Sequence, residues 1–176
     1  MRKILISTVA FITLAACLCC LYSCSDSDVE VPAGMQLCRD DVVDYYLFVP
    51  DGWSISMTTG AVGAYCSASD MTNVTVMSWT TGGETTIDEW WEMYESDFNL
   101  VFDEMNMIST DNATLNEVAA KKYTYTAKLA DTEYYYAQYA CMRRGMVYIL
   151  TFTSTPELYE EHTEDLDNIV ANFRFR

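Results

Sequence analysis

A single histidine, His162, limits the chemistry open to this chain. Two-histidine metal sites are excluded, and a Ser-His-Asp or Cys-His arrangement would have to be built around that one ring. Its neighbours point elsewhere. Tyr159, Leu166, Ile169, Val170 and Phe173 share one helical face with His162, so the ring reads as a satisfied histidine in or near a core. No Gly-x-Ser-x-Gly elbow accompanies it. A hydrolase using a cysteine or serine with His162 is the enzymatic alternative, and it requires Cys38, Cys66 or Cys141 to be brought beside the ring by the fold. No catalytic residue is therefore expected.

Metal chemistry finds little local support. Of seven cysteines, Cys17, Cys19 and Cys20 lie in an apolar leader and Cys24 lies at its end. The remaining Cys38, Cys66 and Cys141 are far apart and odd in number, so a disulfide-stapled fold is excluded. There is no CxxC pair and no local Cys/His cluster, so no zinc site is expected, and Cys66 and Cys141 read as small buried hydrophobes. The pairs Asp40-Asp41, Asp103-Glu104 and Glu160-Glu161 read as solvated faces. Residues 111–117 and Asp165-Leu166-Asp167-Asn168 fail the spacing of a calcium loop. Thr81-Gly82-Gly83-Glu84 lacks the lysine of a phosphate loop. Neither a metal nor a cofactor is implied.

The charge is lopsided: 26 acidic against 10 basic residues give a net charge of −16. Nucleic acid is excluded as an ordinary partner, because phosphate neutralisation needs clustered Lys and Arg. An anionic lipid surface would repel the domain as well.

The address is written at the start. Arg2 and Lys3 precede an apolar stretch over residues 4–16, and the chain turns polar at Ser25-Asp26-Ser27-Asp28. A charged start, a short apolar run and a small residue before the cut define an export signal. With a cysteine at the cut, the segment resembles the signal of a bacterial lipoprotein, in which the thiol is lipidated and the mature chain stays on the outer face of a membrane. Cys24 is the expected acceptor, because the polar tether begins directly after it. Cys17, preceded by Ala15-Ala16, is the alternative. An uncleaved single-pass anchor also stays open, since residues 4–22 nearly reach the ~20 residues of a bilayer span. The expected organisation is a signal over 1–23, a tether over 24–34, and one monomeric domain over 35–176.

The elements of that domain follow from periodicity and turn chemistry. Residues 45–49 form an apolar strand that stops at Pro50-Asp51-Gly52. Trp53, Ile55 and Met57 alternate with Ser54 and Ser56 as a half-buried strand, and residues 61–66 and 74–79 give two more. Gly82-Gly83 breaks the pattern, and Thr86-Ile87-Asp88-Glu89 is a capping box. Behind it, apolar residues from Ile87 through Phe98, Val101, Phe102 and Met105 recur at helical spacing. Strands are expected to resume after about Asn112. Turns at Ala130-Asp131-Thr132 and Arg143-Arg144-Gly145 then make a meander of long strands. Thr155-Pro156 starts a last helix, and residues 173–176 add a closing strand. The class is α+β, a central antiparallel sheet with flanking helices.

Phe48-Val49-Pro50-Asp51-Gly52-Trp53, with the strand, Thr-capped helix and closing Phe-x-Phe from Tyr148 to Phe175, resembles the PsbP-like family. That family includes extrinsic photosystem II proteins, a fungal factor acting on the Ran GTPase, and many bacterial lipoproteins. The resemblance implies an αβα sandwich that binds or assists a protein partner without doing chemistry. The photosynthetic role is not implied, because no metal-binding residue of that branch can be placed here.

Two functions follow from this reading: a tethered, non-catalytic protein-binding or accessory module, or a carrier of a small apolar or aromatic ligand. Exposed aromatics favour the first and an enclosed apolar cavity the second. Tyr134, Tyr135, Tyr136 and Tyr139 occupy both faces of one strand and are the candidate binding surface.

Overall fold

The computed structural model describes residues 29–58, 61–81, 86–98 and 100–176. The expected leader with Cys17 and Cys24, the turn at Thr59-Gly60 and the breaker Gly82-Gly83 lie outside the described residues.

The strands are β1 Met35–Cys38, β2 Tyr45–Pro50, β3 Ser54–Thr58, β4 Ala61–Tyr65, β5 Asn73–Thr80, β6 Glu104–Leu115, β7 Val118–Leu129, β8 Thr132–Arg143, β9 Met146–Ser154 and β10 Arg174–Phe175. The helices are α1 Ile87–Phe98, the short α2 Pro156–Tyr159, and α3 Thr163–Asn172. Seven strands pair in the order β3-β4-β5-β9-β8-β7-β6, and a small sheet runs β1-β2-β10. Among the described residues every pairing is antiparallel. Two-residue hairpin turns need positive φ to match strand twist. Asn116 and Glu117 supply it between β6 and β7, Ala130 between β7 and β8, and Arg144 with Gly145 between β8 and β9. In β4, a side chain at Gly63 would collide with the Val74 carbonyl of β5, so that position must be glycine.

Helix α1 covers one face of the large sheet. Trp90, Trp91 and Phe98 pack on Tyr123, Tyr125, Ala127, Ala140, Val147 and Ile149. The Trp91 and Tyr123 rings stack at 3.6 Å. The opposite face is closed by the small sheet and α3. Tyr45 of β2 stacks on Phe173 at 5.5 Å and donates a hydrogen bond to the Val76 carbonyl at 3.1 Å. Leu166 and Ile169 of α3 are buried there. The fold is thus α+β, antiparallel sheet with flanking helices, as expected.

Four expectations are corrected. Helix α1 stops at Phe98, where the Phe98 carbonyl accepts from Val101 and Phe102 N–H groups. Val101 is then exposed, and Met105 belongs to β6. Strand β6 begins at Glu104, well before Asn112, because β7 offers it a full pairing edge: Met105 lies opposite Ala127. A helical spacing of three or four apolar residues could not reveal that distant partner. Second, β3 is an outer strand in which Trp53's neighbours Ile55 and Met57 are exposed, so it is not half-buried. Third, the last helix is not continuous. A 3-10 turn over Glu160–His162 separates α2 from α3, and Thr155 caps with no side-chain hydrogen bond. Fourth, Cys66 lies just past β4 and is only half-buried, whereas Cys38 and Cys141 are core thiols.

Candidate functional site

The break between α2 and α3 swings His162 towards the β4–β5 loop. Backbone φ −107 and ψ 12 at His162 mark the junction. That loop is folded on itself: Ser67 N–H bonds the Asp70 carbonyl at 2.9 Å, Asp70 N–H bonds Ser67 Oγ at 3.1 Å, and Cys66 N–H bonds the Thr72 carbonyl at 2.8 Å. Thr72 N–H holds Asp70 Oδ1 at 2.9 Å, which leaves Oδ2 for His162 Nε2 at 2.7 Å. Asp165, one helical turn on, meets His162 Nδ1 at 2.8 Å. The Trp53 ring stands edge-on to the imidazole at 6.1 Å. Cys66 completes the group: its sulfur, an Asp70 oxygen and a His162 nitrogen all lie within 4.8 Å of one another.

The electrostatics follow from these partners. Burial works against protonating His162, but the bonds and charges of Asp165 and Asp70 outweigh it and hold the ring above the ordinary histidine value. Burial also works to raise Asp70, and the bonds from Thr72 and His162 more than offset it, so its carboxyl is lowered. Burial, then the negative charges of Asp70 and Asp165, push the Cys66 thiol up. A nucleophilic cysteine needs the opposite shift, and His162 Nε2 already engages Asp70. The fold does bring Cys66 near His162, yet it gives the thiol no activation. His162 is satisfied, as expected, but by two carboxylates that sequence reasoning missed. The spacing of His162 and Asp165 was a legible signal; Asp70 carries none.

The four candidate tyrosines are separated by the structure. Tyr139 is buried at 6% exposure and belongs to the core. Tyr135 stacks on Tyr159 at 3.8 Å, and Tyr136 on Tyr125 at 4.9 Å. Tyr134, Tyr135 and Tyr136 are half-buried.

A second surface had no sequence signal. Strand register puts Met77 opposite Ile149, on the sheet face that α1 covers. Between β5 and α1 runs an open groove of about 610 Å³ lined by Met77, Trp79, Trp90, Met93, Tyr94 and Asp97. Trp90 and Tyr94 stack at 4.7 Å, and Trp79 lies 5.5 Å from Trp90, giving an aromatic floor. Met77 and Met93 are 47% and 64% exposed, which leaves flexible thioethers in solvent. Helix α1 carries Asp88, Glu89, Glu92, Glu95 and Asp97, with no basic residue in its last turn. Acids at the negative end of a helix break a local rule, and such breaks concentrate at functional sites.

The architecture is that of the PsbP-like fold. Cyanobacterial PsbP (CyanoP) from Synechocystis superposes with a TM-score of 0.63 at 13% identity, over 89% of this chain and 99% of that one. The Ran-binding protein Mog1p of Saccharomyces cerevisiae gives 0.57 at 9% identity, over 80% and 96%. LpqN, involved in cell envelope biogenesis of Mycobacterium tuberculosis, gives 0.50 at 12%, over 84% and 81%. No family model matches the sequence, and no curated protein does. Among the described residues, no helix is long and apolar enough to cross a membrane.

Proposed function

We propose that the mature chain is an exported, lipid-anchored bacterial protein whose monomeric domain is a non-catalytic accessory module, binding another protein through the groove beside α1. The observation that carries this reading is the groove itself: an open aromatic floor edged by two exposed methionines and an acidic helix. Solvent-exposed apolar patches rimmed by charge are characteristic of protein docking sites. The rim selects the partner's chemistry, an apolar segment flanked by Lys or Arg. The net charge of −16 disfavours nucleic acid for the same reason. Fold likeness adds support, since Mog1p is described as Ran-binding and LpqN as involved in cell envelope biogenesis. The β8 tyrosines contribute less, because Tyr139 is core and Tyr135 and Tyr136 each have one ring face occupied.

Anchoring rests on the leader. Acyl chains contribute about 0.8 kcal/mol per buried CH₂, enough in a multiply acylated terminus to hold a domain that the surface repels. Palmitate labelling of the full chain should disappear in Cys24→Ala. Loss in Cys17→Ala alone moves the acceptor to Cys17, and a label unchanged in both variants overturns the lipoprotein reading of this leader.

Docking is tested by placing a photocrosslinking amino acid at position 93 or position 157 of the full chain in intact cells. Met93 borders the groove, and Glu157 is exposed on α2. A discrete heavier band from 93, weakened by Met77→Asp and absent from 157, is expected. Equal adducts from both positions, or none from 93, would overturn the groove. A small apolar molecule released stoichiometrically on unfolding would establish the carrier reading instead.

A further inference from the structure

We propose that Cys66, Asp70 and His162 form a binding site for one divalent transition-metal ion of the zinc class, with Asp165 orienting the histidine. The three donor atoms already lie within 4.8 Å of one another, although Asp70 and His162 are 92 residues apart in sequence. Zinc bonds of about 2.0–2.3 Å place tetrahedral ligands roughly 3.3–3.8 Å apart. A contraction of about an ångström at the widest separation therefore suffices, and the Asp70–His162 contact of 2.7 Å must open slightly. Two of the three donors, Asp70 and His162, are oriented before any ion arrives. Thr72 N–H occupies Asp70 Oδ1 and leaves Oδ2 facing the site. Asp165 accepts the hydrogen bond from Nδ1–H, so that once Nε2 gives up its proton the Nε2 lone pair faces the site, the carboxylate–histidine–metal relation common in such centres.

The donor set selects the ion. A thiolate beside an imidazole disfavours calcium and magnesium, which take hard oxygen ligands, and suits zinc or cobalt. Two neighbouring carboxylates supply the negative charge that draws a cation in. Binding releases two protons in the charged-histidine form, one from Cys66 Sγ and one from His162 Nε2, and the ion takes their place. Three protein ligands leave a fourth position for water, and the ion would tie the β4–β5 loop to the α2–α3 junction.

The test uses the full chain, whose other thiols are followed separately. Alkylation is mapped by mass spectrometry to the peptide holding Cys66, with and without added zinc. Zinc should slow modification of Cys66 at least tenfold, while Asp165→Asn should weaken the zinc concentration dependence 10–100-fold. Cobalt should produce a thiolate-to-metal charge-transfer band that His162→Gln removes. Unchanged alkylation of Cys66 at saturating zinc overturns the proposal, whatever the variants do. So does protection that persists undiminished in both Asp70→Asn and His162→Gln.

Discussion

Tyr45 and Tyr125 are both buried phenols, and they differ by one bond. Tyr45 donates to the Val76 carbonyl, whereas the Tyr125 hydroxyl has no partner among the described residues. A buried unpaired hydroxyl costs free energy that its removal returns. Tyr125→Phe should therefore raise stability by about 1 kcal/mol, and Tyr45→Phe should lower it by about 1 kcal/mol, as read from denaturant unfolding. Thiols separate in the same way. Burial pushes Cys38 and Cys141 up to about 12, so neither should react with an alkylating reagent until the domain unfolds. Half-buried Cys66 should react in the native, metal-free state; labelling of Cys141 at the same rate would contradict the core placement. Alternation in the sequence revealed Cys141, because its strand neighbours are local. It misjudged Cys66, because Asp70 and His162 arrive from a loop and a helix junction that no spacing encodes.

At the scale of elements, starts were legible and ends were not. The capping box is present: Glu89 N–H bonds Thr86 Oγ1 at 3.2 Å and Thr86 N–H bonds the Glu89 carboxylate at 3.0 Å. Thr86→Ala should cost about 1 kcal/mol, while Thr155→Ala, which loses no side-chain cap bond, should stay within about 0.5 kcal/mol. Equal costs would mean the cap geometry is not what stabilises α1. The end of α1 was hidden because Phe102 and Met105 fit a helical stripe, yet reach the same core from the turn after α1 and from β6. What decides between them is β7, a partner that periodicity cannot see. The break at His162 was hidden likewise, since the carboxylates that hold the ring lie on both sides of it.

At the scale of the molecule, the antiparallel β7-β8-β9 order was legible because those hairpins carry their own turn residues, at Ala130-Asp131 and Arg144-Gly145, whereas the β6–β7 turn at Asn116-Glu117 was not. The small sheet was not, because β10 pairs with β2 from the far end of the chain. Val31–Arg176 is one compact unit, so a chain begun at Val31 should unfold in a single cooperative transition, with Trp91→Ala costing about 3–5 kcal/mol. Two separable transitions would contradict it. Surface substitutions behave differently, and that difference reaches the central claim. Met93 is 64% exposed, so Met93→Asp should change stability by no more than about 0.5 kcal/mol. The most direct measurement pairs that unfolding free energy with the amount of partner retained by the full chain after formaldehyde crosslinking of intact cells. Unchanged stability with loss of the partner is the predicted result; a partner retained in full by the Met77→Asp, Met93→Asp double variant would contradict the groove as the binding surface.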